Sequence, residues 1–338
     1  MSSAVPSPRV SIAVPVYNGE RYVARTLDSL LGQTFGDFEL IITDNASTDA
    51  TRDICADYAR RDRRIQYHRA EQNKGVAANF RWGYELARAP FFKWNAADDL
   101  CAPTFLEECV RVLEQDPEVV LAFPRTMIID EDDRPLHPNT YDADADHPSP
   151  ACRFSRLMNI NHRMHGAHEL YGLIRRSALQ RIPVYDRVVR SDSIMLARLA
   201  LLGRFRCVEK PLFLNREHAR RSVAAQTPGR KLLTRSRLSR WIGQGPVPPA
   251  HFWNPALKGR IVFPEWRVWR EYAVSMRFAD LEFADRLACY AAFTGYTVRH
   301  IPKLVRDLVI AAEHVILGEP GARQPPATPS PQVEPSSV

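Results

Sequence analysis

The sequence predicts an α/β protein: a doubly wound, mostly parallel sheet covered on both faces, followed by a C-terminal helical extension. Three observations carry that prediction. Short β-rich apolar runs alternate with segments of helical periodicity through the first 130 residues. Polar clusters follow those runs at Tyr17-Asn18, Asp44-Asn45 and Asp98-Asp99, and open parallel sheets bind ligands at such strand ends. The apolar residues Phe91, Phe92 and Trp94 run straight into Asp98-Asp99, and a buried carboxylate pair is costly unless a cation or hydrogen bonds compensate it.

Residues 10–16 read as the first strand, broken by Tyr17-Asn18-Gly19. A helix over 20–31 follows, with Val23, Leu27, Leu30 and Leu31 on one face. Residues 38–43 form the second strand, and Ser47 or Thr48 suits the cap of a helix through Arg60. The third strand, 65–68, precedes a turn at Asn73-Lys74-Gly75 and a helix over 76–87. The fourth, 90–96, ends at Asp98-Asp99. Pro103, favoured in a first helical turn, opens a helix to Gln115, and 119–129 is a fifth strand. Residues 130–150 are acidic and Pro-containing and read as a connecting loop. Beyond it, 169–174 suits a strand, 192–202 a helix and 204–214 another strand. From Lys231 to Leu317 come helical segments rich in Arg and aromatics, including Trp241, Trp253, Trp266 and Trp269. Residues 319–338 are Pro-, Gln- and Ser-rich and are expected to be disordered. There is no internal repeat.

With 338 residues, 45% of them hydrophobic, the chain can build one large domain or two ordinary ones. No apolar run is long enough for a membrane-spanning helix, and residues 1–9 lack the apolar stretch of a signal peptide, so a cytoplasmic protein is expected. The six cysteines are scattered without a C-x-x-C and read as reduced thiols. Residues 1–150 hold 16 Lys and Arg against 25 Asp and Glu, a net charge of −9; residues 151–338 hold 30 against 14, a net charge of +16. The acidic half suits a cation; the basic half suits anionic headgroups or phosphate-bearing ligands, or is a solvated surface. No nucleic-acid motif accompanies it, so no nucleic-acid partner is expected.

The first strand is followed neither by G-x-G-x-x-G nor by a P-loop, and no G-x-S-x-G elbow occurs, which sets aside dinucleotide enzymes, P-loop NTPases and α/β-hydrolases. A nucleotidyltransferase would need a Gly-rich basic loop where Tyr17-Asn18-Gly19-Glu20 stands. A hard cation such as Mg²⁺ or Mn²⁺ would suit the acidic strand end and would grip diphosphate oxygens.

Ordered motifs over residues 9–222 resemble the family 2 glycosyltransferases, inverting enzymes of the glycosyltransferase A-type fold: Val14-Pro15-Val16-Tyr17-Asn18-Gly19-Glu20, Ser29-Leu30-Leu31-Gly32-Gln33-Thr34, Asp44-Asn45-Ala46-Ser47-Thr48-Asp49, Asn73-Lys74-Gly75 with Asn79, and Ala97-Asp98-Asp99 with Pro103. The resemblance implies a catalytic domain over 1–222, with a nucleotide-sugar half near 9–130 and an acceptor half near 150–222. A helical extension over 223–318 and the tail would follow. It implies a nucleotide-diphosphate-sugar donor, a saccharide or lipid-linked acceptor, a divalent cation, and a place in polysaccharide or glycoconjugate biosynthesis. By similarity, Pro15, Tyr17 and Glu20 would lie at the nucleotide, Asp44 would accept from the base or ribose, and Lys74 would approach the diphosphate. Asp44 could instead serve a helix cap or its turn, and Lys74 could be an ordinary surface lysine. The family's first acidic metal position falls on Ala96, so Asp98 is the expected metal ligand, with Asp99 supporting the site or binding the sugar. His218, in Arg216-Glu217-His218, would complete the metal shell or be structural. Gly172 would permit close approach of the acceptor. Asp192 would be the base that takes the acceptor hydroxyl's proton, or simply serve the helix start. His162, His165 and His168 have no tight metal spacing and are expected in a mobile loop. The missing carboxylate at Ala96 also fits a non-catalytic nucleotide-sugar-binding partner of a synthase complex. Segments near residues 266–283 and 301–316 mix aromatics, leucines and Arg. They would either meet the inner face of a membrane or pack on the catalytic domain.

Overall fold

Every residue of β1 (Val10–Val16) and β2 (Phe38–Asp44) is buried. A strand buried on both faces needs cover on both, and the intervening helices supply it. The computed structural model describes residues 7–160, 166–185, 188–218, 260 and 262–317. Trp241, Trp253, His162, His165 and the expected disordered tail lie outside the described residues.

β3 (Ile65–Arg69), β2, β1 and β4 (Phe91–Trp94) pair in parallel in that order. β8 (Leu173–Arg175) then lies antiparallel between β4 and β6 (Val119–Ile129). β9 (Arg204–Arg216) runs parallel to β6, β5 (Leu100–Cys101) closes antiparallel on β9, and β7 (Pro135–Asn139) pairs antiparallel with β6. The sheet is therefore α/β as expected but mixed beyond β4. Two reversals at β8 restore the direction of β4 in β6 and β9, so the carboxyl ends of β1–β4, β6 and β9 gather on one edge. The nucleotide-sugar and acceptor halves read from the sequence share this single sheet.

One face carries α1 (Val23–Leu31), α2 (Thr51–Arg61) and α4 (Phe105–Gln115), whose Val23, Leu27, Cys55 and Phe105 join one apolar cluster. The other carries α3 (Val76–Leu86), α5 (Pro150–Met158) and α7 (Ser191–Leu202), with Phe154, Leu157, Leu196 and Leu199 in a second. A short α6 (Arg176–Leu179) follows β8. β4 divides its side chains between the two cores: Phe92 and Trp94 enter the second, while Lys93 points into the first. Neither Ser47 nor Thr48 caps α2; Ala50 stands at the cap, and the Ser47 hydroxyl accepts from the Asn18 amide instead.

Two further helices, α8 (Pro264–Ser275) and α9 (Phe283–Leu317), pack on this body. Buried ion pairs Arg190–Glu265, 2.9 Å, and Arg198–Glu271, 2.7 Å, tie α8 to α7. The inner side of α9 buries Cys289, Tyr296, Leu304 and Ala311. No described helix is long and apolar enough to cross a membrane.

Candidate functional site

The rim of the strand-end edge is built by three loops that hold one another. After β1, Asn18 adopts positive φ, its side chain accepting from the Thr48 amide at 2.8 Å. Glu20 accepts from the Ala50 amide at 2.9 Å, and the Asp49 carboxylate accepts from the Glu20 amide at 3.1 Å. Asn45, after β2, accepts from the Lys74 amide at 2.9 Å and donates to Asn73 at 2.9 Å, which draws the third loop in. Tyr17 and Lys74 stand exposed on this rim, the Lys74 ammonium 5.9 Å from the Trp82 ring centre.

Pro15 is buried within β1, in register with Thr43, one residue before the end of the strand. Asp44 is fully buried and engaged on both oxygens: the Ser47 amide donates at 2.8 Å, the Tyr67 hydroxyl at 2.8 Å and Arg69 at 2.6 Å. Its carboxylate shapes the loop and aims Arg69. That guanidinium also donates to the Ser47 carbonyl at 2.8 Å. Burial, and then the hydrogen bond its hydroxyl donates to Asp44, push the Tyr67 phenol far above its ordinary value. Arg69 is a rim residue the sequence reading missed, although it ends β3 directly opposite Asp44 in the parallel register.

At the end of β4 the two adjacent carboxylates part company. Asp98 is one-third exposed, and its Oδ2 lies 2.9 Å from Nε2 of His218. Asp99 is buried. It accepts from the Asn215 side chain at 3.0 and 3.1 Å and from the Arg216 amide at 2.9 Å, so it positions the end of β9. The same turn is gripped by Arg216, whose side chain is fully buried. Its guanidinium donates to the carbonyls of Asp98 (2.8 Å), Asp130 (2.9 Å) and Glu131 (3.3 Å), pairs with Asp133, and lies over the Tyr22 ring at 4.7 Å. His218 packs against that ring from 4.8 Å. Asp98 and His218 thus meet across 120 residues because Asp99 and Arg216 fasten their backbones together.

Beneath the turn, Lys93 is wholly buried, its ammonium donating to the carbonyls of Trp94 (3.2 Å) and Tyr171 and facing the Phe105 ring at 4.2 Å. Burial lowers its pKa.

In the second half, Asp192 sits half-buried in the first turn of α7, where its Oδ1 accepts from the Ser193 amide at 2.8 Å. Arg190, in a left-handed conformation, occupies the cap position. The charge of Asp192 helps raise the pKa of Tyr185, after burial and Tyr171; the Tyr185 ring lies 5.2 Å from that of Trp94. Asp192 is thus on the α7 side of the edge where β4 ends.

Gly172 is buried, and a Cβ there would stand 2.6 Å from the Ala122 carbonyl oxygen and 2.9 Å from that of Glu169. The oxygens that approach it belong to the backbone of β6 at Ala122 and of the 3₁₀ turn at Glu169. Gly172→Ala is expected to lower stability by about 1–3 kcal/mol in urea unfolding, because backbone must move to admit the methyl. His168 lies in a 3₁₀ turn, its Nδ1 2.9 Å from the Asn139 side-chain nitrogen.

Among the described residues no cluster of three or more His, Cys, Asp or Glu stands ready for a metal; Asp98 and His218 form a pair. That pair still fits Mg²⁺ or Mn²⁺, since such ions commonly take one or two protein ligands and fill the rest of their shell with phosphate oxygens and water.

A mixed α/β sheet with an acidic, partly open strand-end edge is the framework of the glycosyltransferase A-type fold. The Glycosyl transferase family 2 model matches residues 11–183, and the chain belongs to that family. EpsH of Bacillus subtilis (strain 168), which carries a glycosyltransferase name, is 36% identical over 115 residues, 34% of this chain and 33% of its own. An uncharacterized glycosyltransferase of Rickettsia typhi is 30% identical over 132 residues, 39% of this chain and 40% of its own. The chain thus spans about a third to two-fifths of these relatives. The crystal structure of S. aureus TarS 1–349 in complex with UDP-GlcNAc shares the fold, with a TM-score of 0.58 at 17% identity over 91% of this chain and 81% of that one.

Proposed function

We propose that the protein is an inverting glycosyltransferase that moves a sugar from a nucleotide-diphosphate donor to an acceptor hydroxyl in polysaccharide or glycoconjugate assembly. The observation that carries this reading is the half-open Asp98 carboxylate beside His218 on the edge where Tyr17, Lys74 and Arg69 also stand. TarS, a neighbour in fold, binds UDP-GlcNAc, which supports the donor class.

In this reading Tyr17 and Lys74 contact the donor, Glu20 and Asp44 keep their loops in place, and Asp98 with His218 hold a divalent cation. Such a cation supplies Lewis-acid stabilisation of the charge on the departing nucleoside diphosphate. Asp192 takes the proton from the acceptor hydroxyl as its oxygen attacks the anomeric carbon. The diphosphate departs from the opposite face, so the product carries the inverted configuration. Asp99 and Arg216 act as positioning residues for Asp98 and His218.

The experiment is a titration of UDP- and GDP-linked ligands with and without Mn²⁺. Wild-type affinity should rise with the ion, and Asp98→Ala should abolish most of that gain, about 10-fold or more, without changing ion-free affinity. An ion effect that survives in Asp98→Ala removes this carboxylate from the site.

A further inference from the structure

We propose that the outward face of α9, with the basic cleft beside it, seats on an anionic phospholipid bilayer. The helix runs for 35 residues, about 52 Å at 1.5 Å per residue. Its inner side is the one packed on the protein. Its outer side presents Phe283 (84% exposed), Leu287 (61%), Tyr290, Val298 (62%), Ile301 and Val305, and continues through Leu308 to Ile316. At 100° per residue these positions fall within an arc of about 100°, an apolar stripe interrupted by Thr294 and Thr297 between Tyr290 and Val298. So long an apolar face is unusual on a surface that meets only water.

Charge identifies the occupant. Among the described side chains, the exposed residues of α9 include Arg286 and Arg299 and no carboxylate; Asp280 and Glu282 precede the helix, and Asp280 pairs with Arg181. Beside the stripe, Arg156, Arg299, His300 and Lys303 line a cleft between α5 and α9, again with no acidic lining residue. Arg299 and Lys303 make no ion pair among the described residues, while Arg156 pairs with Asp144. Trp266, on α8, is 37% exposed, and its indole N–H donates to the Leu304 carbonyl at 3.0 Å, which fixes an amphipathic ring at the edge of the stripe. Apolar residues that enter the acyl boundary, a tryptophan at its margin and basic groups level with the headgroups are what an in-plane helix requires.

The test is flotation of the full-length protein with phosphatidylcholine vesicles, with and without phosphatidylglycerol. Wild type should float with the anionic vesicles and lose binding as salt rises. Leu287→Asp/Val298→Asp should weaken this at least about tenfold, and Arg286→Glu/Arg299→Glu should remove the preference for anionic lipid. These side chains are outward, so melting temperatures should match wild type, which separates lost docking from lost folding. Three results overturn the proposal: wild type that stays with the soluble fraction at low salt, variants that float like wild type, or a wild-type dimer in light scattering that Leu287→Asp/Val298→Asp dissolves. Because no turnover is measured, its failure is distinct from failure of the sugar-transfer reading.

Discussion

Asp192→Asn is expected to lower turnover by roughly 10²–10⁴-fold while donor affinity stays within about twofold of wild type. The substitution is nearly isosteric. The amide oxygen can still accept from the Ser193 N–H, so the first turn of α7 keeps its local bond. What disappears is an atom able to accept the acceptor's proton as the new bond forms. Residue 192 is remote in sequence from the rim that would take the nucleotide, so the loss should fall on kcat at saturating donor and not on donor binding. Single-turnover transfer and calorimetric donor titration measure the two separately. A variant that turns over at the wild-type rate strips Asp192 of its role. A wild-type protein that binds donor with no transfer to any acceptor would favour the non-catalytic binding partner.

Arg216→Ala is expected to destabilise the fold by about 3–5 kcal/mol, the range for breaking a buried charge network by removing one partner. Three carbonyl acceptors at Asp98, Asp130 and Glu131 would lose their donor, and Asp133 its ion-pair partner. The Tyr22 ring would lose the cation over its face. The carbonyls of Asp98 and Asp130 belong to different strand ends, so the damage should reach the position of His218 as well as the unfolding midpoint. Denaturant unfolding gives the first number, and the loss of any Mn²⁺-dependent ligand affinity reads the second. A change under about 1 kcal/mol would show that water replaces the guanidinium without penalty.

How much of this was legible follows from what a sequence encodes locally. β1, β2, β3, β6 and β9 were readable because each is a sustained β-rich run, and α1 to α4 because their apolar residues recur at helical spacing. β5 was not, since two residues carry no period, and the strand read over 169–174 meets β8 only at Leu173 and Ile174, because His168–Tyr171 form a 3₁₀ turn. α5 did offer a signal that went unread: Ser149 before Pro150, whose hydroxyl accepts from the Cys152 amide. The site was legible in its ingredients and not in their orientation. A carboxylate at a strand end looks the same in sequence whether it faces a ligand or the core. Asp44 and Asp99 turn inward because Tyr67 and Arg69, and Asn215 and Arg216, wait there. The Asp99 partners lie more than a hundred residues downstream, beyond any local pattern. Gly172 shows the same limit: the need for a missing side chain was readable, but whether backbone or ligand filled the space was not.

The three-residue β8 has a consequence for how the molecule is made. It is the only strand joining β4 to β6 among the described residues, and it emerges about 80 residues after β4 and 45 after β6. During synthesis the parallel N-terminal quartet must therefore wait with an open hydrogen-bonding edge, the kind of surface that invites association with other nascent chains. Closure is a late, non-local event of the sort that slows folding. A fragment ending between the two halves would inherit that raw edge permanently, so evolution or an engineer could exchange the outer helices of this protein more readily than divide its sheet.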